Sequence, residues 1–390
     1  MLFKSVPFVL ALLAGANAAP GSSSLLHHKK CDVSVMKQFD IANGTDVIIS
    51  EDPLVPFVSP KLSAVNETAW ESWFFDATAD DGETGIGIMF WRDNSHVGEV
   101  NPPFGVLRLQ TQVTFSNGSS WIEVSWVTDN TISTCKNSTT GVWSKPGYRY
   151  SFDISSDLKY TTIVLDSPTL KGTYTLTATA PAVYADGNQW PSKNASPQVK
   201  PWVYWEAPVT AGKVAVDFDI DGTRLNFTGV GGHDRNWGPF PLSVSSLGWQ
   251  IGRVFAGPYT AIFWRIGSSV DGKTYLASVL IKSGEVIFST RNLGVVKRGD
   301  YLLFSQTHVN HTGTPFDPSK ARTTFTLDFT SAKKKKNWKF DVNFADPEWA
   351  LGERGFGGFV PAQIKGGEVG CEVFSGIGTA MHAEFDDAWA

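Results

Sequence analysis

The chain has 390 residues, of which 42% are hydrophobic and 13% aromatic, and its formal net charge is -5 at pH 7. This acidic balance argues against nucleic acid as a partner, because binding to phosphates needs a basic stripe. The length exceeds what one hydrophobic core usually supports, so we expect two domains.

The amino terminus has the pattern of a secretory signal peptide. Lys4 precedes an apolar run from Val6 to Leu13, and the small residues Ala16 and Ala18 mark a cleavage position. We therefore predict a signal peptide over residues 1–18. The apolar run is too short to span a bilayer and no later segment approaches that length, so we expect a soluble protein without membrane insertion.

Acceptor tripeptides for N-glycosylation agree with the secretory route, since glycans are added in that compartment. The tripeptides begin at Asn43, Asn66, Asn117, Asn137, Asn194, Asn226 and Asn310. We expect a secreted or luminal glycoprotein.

The chain contains three cysteines, Cys31, Cys135 and Cys371. An oxidising compartment permits one disulfide and leaves one thiol, and the sequence does not decide which two cysteines pair. Three cysteines so far apart do not indicate a metal site.

Beyond the signal, nearly every segment alternates with period two and is rich in β-branched and aromatic residues, which is typical of half-buried strands. Helical periodicity is nearly absent. The clearest predicted strands cover residues 71–78, 105–115, 121–127, 148–154, 161–166, 172–180, 212–220, 223–230, 259–267, 274–281, 285–290, 323–330 and 337–344. The predicted fold class is all-β.

Turn chemistry separates these strands. The pairs Asn117-Gly118, Asp221-Gly222, Asp271-Gly272 and Ser283-Gly284 predict hairpin connections. The basic run from Lys333 to Lys336 lies between two strand patterns, and we interpret it as a hairpin loop.

A stretch rich in glycine and proline, residues 229–241, is the predicted boundary between two β domains. We place an amino-terminal domain at 19–235 and a carboxy-terminal domain at 236–390. Pockets tend to form between domains, so this stretch is a candidate pocket wall.

The sequence contains no motif that indicates metal, nucleotide or serine-hydrolase chemistry. Residues 217–222, DFDIDG, begin like a calcium loop, but the twelfth position is Thr228 instead of a glutamate, and the alternation favours a hairpin. No HExxH, GxSxG or phosphate-binding glycine loop occurs. We predict that the protein needs no metal ion.

Acidic residues are mixed with aromatic ones in three segments, residues 68–78, 201–208 and 231–239. In the first, alternation places Glu71 and Trp73 on one face and Asp76 on the other, and neither face is polar. A carboxylic acid buried against indoles has a raised pKa and can act as an acid near neutral pH. The alternative is a buried structural carboxylate paired with Arg235 or Arg265.

The segment GGHDRNWGP, residues 231–239, raises a similar choice. We expect the glycines at 229, 231 and 232 to turn the backbone sharply and bring His233, Asp234 and Arg235 together at a pocket wall. The alternative is a turn whose polar residues satisfy its own backbone, with Asp234 paired to Arg235.

Together these segments resemble a known family. TAWESWFFD at 68–76, GGHDRNWGP at 231–239, NWKFDVNFADPEW at 337–349 and FSGIGTAM at 374–381 are similar, in the same order, to signatures of the fungal Diels-Alderases. Relatives of that family include kievitone hydratase-like proteins and, more distantly, hydroxyneurosporene synthase-type proteins. The secretory signal, the glycosylation tripeptides and His233 make the chain most similar to secreted members, which include hetero-Diels-Alderases.

The resemblance implies two lipocalin-like β-barrel domains with an apolar ligand pocket at their junction. We predict Asp234, Glu71 and His233 as catalytic residues. The predicted substrate-binding residues are Trp73, Tyr204, Trp205, Arg235, Trp237, Trp264, Trp349 and Lys365.

The predicted function is a cofactor-free pericyclase of fungal secondary metabolism that acts on a small apolar polyketide or terpenoid. It would catalyse a Diels-Alder or hetero-Diels-Alder cyclisation, either directly or after an acid-assisted dehydration. The dehydration would form a quinone methide, which a terpene alkene would trap. Asp234 or Glu71 would supply the proton and His233 would shuttle it. Alternatives are a secreted hydratase, a non-catalytic lipocalin-like binder and a secreted β protein that binds or cleaves carbohydrate.

Overall fold

The computed structural model describes residues 31–44, 47–94, 104–309, 322–345 and 359–384. Within these ranges the chain is almost entirely β-structure. The strands, in chain order, are β1 Asp32–Lys37, β2 Trp70–Ala79, β3 Gly85–Asp93, β4 Leu107–Thr114, β5 Ser120–Trp126, β6 Asp129–Thr134, β7 Ser138–Lys145, β8 Tyr148–Ser155, β9 Tyr160–Asp166, β10 Leu170–Ala178, β11 Val183–Tyr184, β12 Gln198–Lys200, β13 Val203–Ile220, β14 Thr223–Gly238, β15 Ser246–Ala256, β16 Tyr259–Ser268, β17 Thr274–Lys282, β18 Glu285–Thr290, β19 Tyr301–Val309, β20 Arg322–Ser331, β21 Lys336–Ala345, β22 Val360–Glu368 and β23 Phe374–Glu384. The short helix α1, Leu242–Ser245, precedes β15.

The first sheet is a half-barrel. Its strand order is β1-β6-β7-β8-β9-β10-β13-β14-β2-β3-β4-β5, and β11 and β12 pair with β13. Strand β9 alternates strictly between exposed and buried residues, as expected for a sheet with one solvated face. Every residue of β2 is buried instead, because both faces of this strand are covered. The prediction that one carboxylate of residues 68–78 is buried is confirmed, since Glu71 and Asp76 both are.

The second sheet is a nearly closed barrel, with the order β18-β17-β16-β15-β23-β22-β21-β20-β19. One apolar core fills the first sheet and another fills the second. A third core lies between the sheets, and the tryptophans Trp70 and Trp91 of the first sheet meet Trp249 and Trp264 of the second there. The all-β prediction, with two barrel-like sheets, is confirmed.

The predicted hairpins are confirmed. Ile220 pairs with Thr223 across Asp221-Gly222, so the segment that begins like a calcium loop is a hairpin. Ser331 pairs with Lys336 across the basic run.

The chain leaves the first sheet at Gly238 and enters the second at Ser246. The predicted boundary at 235/236 therefore falls inside β14, and the division into two domains stays a prediction.

The expectation of a sharp turn at 229–232 is wrong, because these residues continue β14 between β13 and β2. These glycines instead allow neighbouring groups to approach the backbone closely. A Cβ atom on Gly231 would lie 2.0 Å from the carbonyl oxygen of Asp76, and one on Gly232 would lie 2.1 Å from Cζ of Arg253. Glycine at these positions admits a neighbouring strand and an arginine side chain.

The cysteine pairing that the sequence left open is settled by the structure. Cys31 and Cys135 form a disulfide, and Cys371 is an exposed free cysteine. The predicted signal peptide lies outside the described residues. No helix in the described part of the chain is long and apolar enough to cross a membrane.

Candidate functional site

The candidate site lies between the two sheets, where the third apolar core is incomplete. A pocket of about 460 Å³, including space open to solvent, has walls from both sheets. Its lining residues are Trp70, Ser72, Phe74, Met89, Trp91, Asn236, Leu242, Trp249, Ile251, Trp264, Phe359 and Met381. Its aromatic, mostly apolar walls are typical of sites that bind small organic molecules.

A smaller cavity adjoins this pocket, with Ile251 and Phe359 common to both. It is more polar, because two carboxylates, Asp76 and Asp234, and the guanidinium of Arg253 lie in its wall. We call the first space the apolar pocket and the second the acidic cavity. A substrate in the apolar pocket is therefore next to ionisable groups.

Strand alternation explains which side chains reach these spaces. Residues directly opposite each other in paired strands share a face of the sheet. Asp234 of β14 is opposite Phe74 of β2, and both face the second sheet. His233 is opposite Phe75, and both face the core of the first sheet.

Three hydrogen-bonded groups hold Asp234 and Asp76 in the acidic cavity. Arg253 donates from Nη2 to Asp234 at 2.7 Å and from Nε to Asp76 at 3.1 Å. The indole of Trp205 donates to Asp234 at 3.1 Å, and the hydroxyl of Thr379 donates to Asp76 at 2.8 Å. Arg253 comes from β15, so the second sheet positions two acids of the first.

The charges of this group do not balance, since two carboxylates share one guanidinium. Burial raises the pKa of Asp234 to about 6, Arg253 opposes this shift, and Asp76 adds to it. Burial lowers the pKa of Arg253, but attraction by Asp76 and Asp234 outweighs that effect and raises it. Arg253 therefore stays charged, and Asp234 can carry a proton near neutral pH.

His233 is separated from this group by the sheet. Its ring stacks on Phe75 with centroids 4.0 Å apart, and its Nδ1 donates to the carbonyl oxygen of Phe74 at 2.8 Å. Burial lowers the pKa of His233 to about 3, so the imidazole is neutral. The expectation that His233, Asp234 and Arg235 line one wall is wrong, because adjacent residues of a strand face opposite sides.

Glu71 belongs to an ion-pair network in the core of the first sheet. Its carboxylate lies 3.0 Å from Arg235 and 3.4 Å from Arg92, and it accepts the backbone N–H of Lys61 at 2.8 Å. Arg235 also donates to backbone carbonyls and lies over the ring of Trp73 at 3.7 Å. This geometry supports the structural alternative for Glu71. The alternative that pairs Asp234 with Arg235 is wrong, since the partner of Asp234 is Arg253.

Most of the other predicted binding residues lie away from both spaces. Trp73 and Trp237 are fully buried on the core face of the first sheet, where their indoles donate to backbone carbonyls. Tyr204 stacks on Trp237. Lys365 is exposed on β22, which corrects its expected place in the pocket. Trp349 lies outside the described residues.

Asp234, Trp205 and Trp264 are the predicted site residues that the structure brings together. Sequence reasoning missed Arg253, although an arginine inside the apolar run of β15 is itself a signal of a buried charge partner. It also missed Trp70, which is four positions from Phe74 and therefore on the same face of β2.

No group of three or more potential metal ligands occurs among the residues that the structure describes.

This fold and site define an all-β, lipocalin-like protein with an apolar small-molecule pocket beside a buried acid. A family model described as Diels-Alderase-like matches residues 28–386, and the chain belongs to this family. The resemblance found in the sequence is confirmed, and the protein is an enzyme of the Diels-Alderase type.

Individual relatives agree with this assignment. The chain is 30% identical over 343 residues to the Diels-Alderase poxQ of Penicillium oxalicum, covering 87% of this chain and 75% of the relative. It is 31% identical over 337 residues to the Diels-Alderase phmD of Phaeosphaeria nodorum, covering 85% and 92%. The crystal structure of CghA with Sch210972 has a TM-score of 0.74 at 23% identity, covering 91% of this chain and 99% of CghA, and it shows the same fold.

Proposed function

We propose that the protein is a pericyclase that closes a Diels-Alder or hetero-Diels-Alder ring in an apolar polyketide or terpenoid substrate. The observation that carries the proposal is the apolar pocket between the two sheets of a Diels-Alderase-like chain. A cycloaddition develops little charge, so its barrier falls mainly when diene and dienophile are held in a near-attack geometry. Such positioning contributes up to about 7 to 11 kcal/mol in the best intramolecular analogues.

A finer step uses the acidic cavity. We propose that protonated Asp234 donates its proton to the leaving hydroxyl of a hydroxymethyl group next to an enolic or phenolic O–H. The carbon–oxygen bond breaks, water leaves, and the O–H proton returns to the carboxylate pair. The product is a quinone methide, whose O=C–C=C unit adds to an alkene to form an oxygen heterocycle. No oxidant or reductant is needed.

Asp234 also favours a second candidate, a hydratase, because the same proton can be added to an alkene carbon before water attacks. The two candidates differ in their product, which contains a new ring in one case and a new hydroxyl in the other.

Two synthetic probes test these proposals. The first is a linear trienone that can close to an octalone, which requires positioning without loss of water. The second is a hydroxymethylphenol with an electron-rich alkene, which requires dehydration first. We expect the protein to accelerate both closures above a heat-inactivated control and to favour one diastereomer, as followed by chiral chromatography. Binding of both probes without any acceleration would indicate a non-catalytic binder, and hydration of an alkene probe without ring closure would indicate a hydratase.

We also propose that the protein enters the secretory route. Asn43, Asn117, Asn137, Asn194 and Asn226 are exposed. Asn66 is half-buried, and its side-chain nitrogen donates to the carbonyl of Gly44 at 2.9 Å. We expect a mature chain that begins near Ala19 and carries glycans on several exposed sites, with Asn66→Gln leaving gel mobility unchanged. Mobility that glycosidase does not alter would contradict the proposal.

A further inference from the structure

Two tryptophans of the apolar pocket hold indole N–H groups that donate to no group among the described residues. They are Trp91 of β3 and Trp264 of β16, each 3% exposed. A buried donor without an acceptor loses its hydrogen bond to water and gains nothing in return. Such groups are rare in native proteins and need a physical explanation.

Several other buried indoles in the described part of the chain have acceptors. Trp70 lines the same pocket and donates to the carbonyl of Phe240 at 2.8 Å. Trp143 and Trp205 donate to a carbonyl and a carboxylate. Trp338 is a further exception, but it belongs to the core of the second sheet and lines neither space. Trp91 and Trp264 differ from Trp338 because their side chains line a space for a ligand.

Trp264 is also connected to the acid. Its ring makes an edge contact with Trp205, with centroids 6.2 Å apart, and Trp205 donates to Asp234. An oxygen atom bound by Trp264 would therefore lie on the side of the apolar pocket that meets the acidic cavity.

We propose that Trp91 and Trp264 are specificity-determining residues whose indole N–H groups bind oxygen acceptors, such as a ketone, of an otherwise apolar substrate. This inference rests on the proposed function, because it takes the apolar pocket as the substrate site. Hydrogen bonding to a carbonyl conjugated with the dienophile withdraws electron density from it and speeds addition of an electron-rich diene. The pocket therefore selects an oxygenated polyene over a hydrocarbon of the same shape.

The test compares a ketone with its hydrocarbon, using 2-decalone and decalin as probes. We expect Trp264→Phe and Trp91→Phe each to weaken decalone binding about 3- to 10-fold, the size of one net hydrogen bond. Binding of decalin should not weaken, because phenylalanine keeps an aromatic wall. Trp70→Phe is the matched control in the same pocket, and it should not change the preference for decalone over decalin.

The carbonyl stretching frequency is a direct readout in the wild-type protein, so it does not depend on how the variants fold. With carbonyl-labelled decalone bound, the carbonyl stretching frequency should fall relative to decalone in alkane. At least one indole N–H resonance should shift, and it should be absent from the spectrum of Trp91→Phe or Trp264→Phe.

Three results would overturn the inference: no decalone binding up to its solubility limit, an unshifted carbonyl, or equal losses for decalone and decalin in both variants. If the protein cyclises the trienone but the decalone carbonyl is unshifted, the inference about the two indoles is wrong and the proposed pericyclase function stands. A shifted carbonyl without any cyclisation would remove the proposed pericyclase function and leave the binding site.

Discussion

Strand β14 separates two buried groups of charges, and their composition differs. The core cluster, on the face toward the first sheet's interior, contains Glu71, Glu206, Arg92, Arg235 and Lys61. The pocket cluster, on the face toward the second sheet, contains Asp76, Asp234 and Arg253. The core cluster has three cations for two carboxylates, whereas the pocket cluster has one cation for two carboxylates. With all groups ionised, the pocket cluster has a net negative charge and the core cluster a net positive charge. A bound proton therefore neutralises the pocket cluster only.

A pKa near neutrality does not by itself separate the two clusters. Burial raises the pKa of Glu206 to about 7, with Lys61 opposing the shift from 2.9 Å. Glu206 lines neither the apolar pocket nor the acidic cavity. Asp234 differs from Glu206 in two ways: it lines the acidic cavity, and its cluster has more carboxylates than cations. These two properties are the reason for proposing Asp234 as the acid.

The largest expected effect comes from removing the proton of the pocket cluster. Asp234→Asn keeps the shape of the side chain but cannot donate a carboxylic proton. Turnover of the hydroxymethylphenol probe should fall roughly 10²- to 10⁴-fold, the usual share of acid–base assistance. Closure of the trienone should fall much less, because it needs no proton transfer. Single-turnover rates on both probes measure this, and equal losses would mean that Asp234 only positions the substrate.

In the core cluster the corresponding change should affect stability instead of chemistry. Glu71→Gln leaves Arg235 and Arg92 without their buried counter-charge, so the free energy of unfolding should fall by about 3 to 5 kcal/mol. Activity per folded molecule should persist. Asp217→Asn is a control at the exposed pair with Arg224, where solvent screens the charges and the loss should be much smaller. A stable but inactive Glu71→Gln protein would indicate that Glu71 is a catalytic residue.

A smaller effect should follow from moving Arg253 away from its acids. Gly232→Ala places a Cβ atom 2.1 Å from Cζ of Arg253, so the guanidinium must shift. Overpacking of this kind typically costs about 1 to 3 kcal/mol. With its cation displaced, Asp234 should have a still higher pKa, and the upper limb of the pH profile should move to higher pH. A pH profile identical to wild type would show that Arg253 does not control the acid.

The mildest test varies pH alone. Because burial raises the pKa of Asp234 from 3.8 to about 6, the carboxyl is protonated below that value. Turnover of the dehydration probe should therefore be highest below about pH 6 and fall about tenfold per pH unit above it. Because the pKa of Asp234 is higher in the folded than in the unfolded protein, protonation of Asp234 stabilises the fold. This contribution is complete below pH 3.8 and is lost as pH rises through about 6. Glu206 titrates in the same window, so the stability profile of Asp234→Asn measures the contribution of Glu206. A turnover profile in that variant that still falls tenfold per pH unit above about pH 6 would contradict the assignment of the proton to Asp234.

Much of the architecture follows from local pattern. The alternation of residues 212–220 and 223–230, with Asp221-Gly222 between them, is sufficient to predict the hairpin of β13 and β14. The mixed aromatic and acidic residues of β2 likewise indicate a strand covered on both faces. The candidate site was less predictable. His233 and Asp234 are neighbours in the chain, and the expected turn would have kept them together, whereas a strand sends them to opposite cores.

The sequence by itself determined the all-β class, the hairpins, the burial of at least one carboxylate of residues 68–78, and the family resemblance. The reason is that a strand repeats every two residues and a tight turn needs particular residues, so both leave a local signature. Only the tertiary structure decided that Cys31 pairs with Cys135, that Arg253 serves Asp76 and Asp234, and that Trp91 and Trp264 share a pocket. These contacts join segments far apart in the chain, and their existence depends on which faces of the two sheets are packed together.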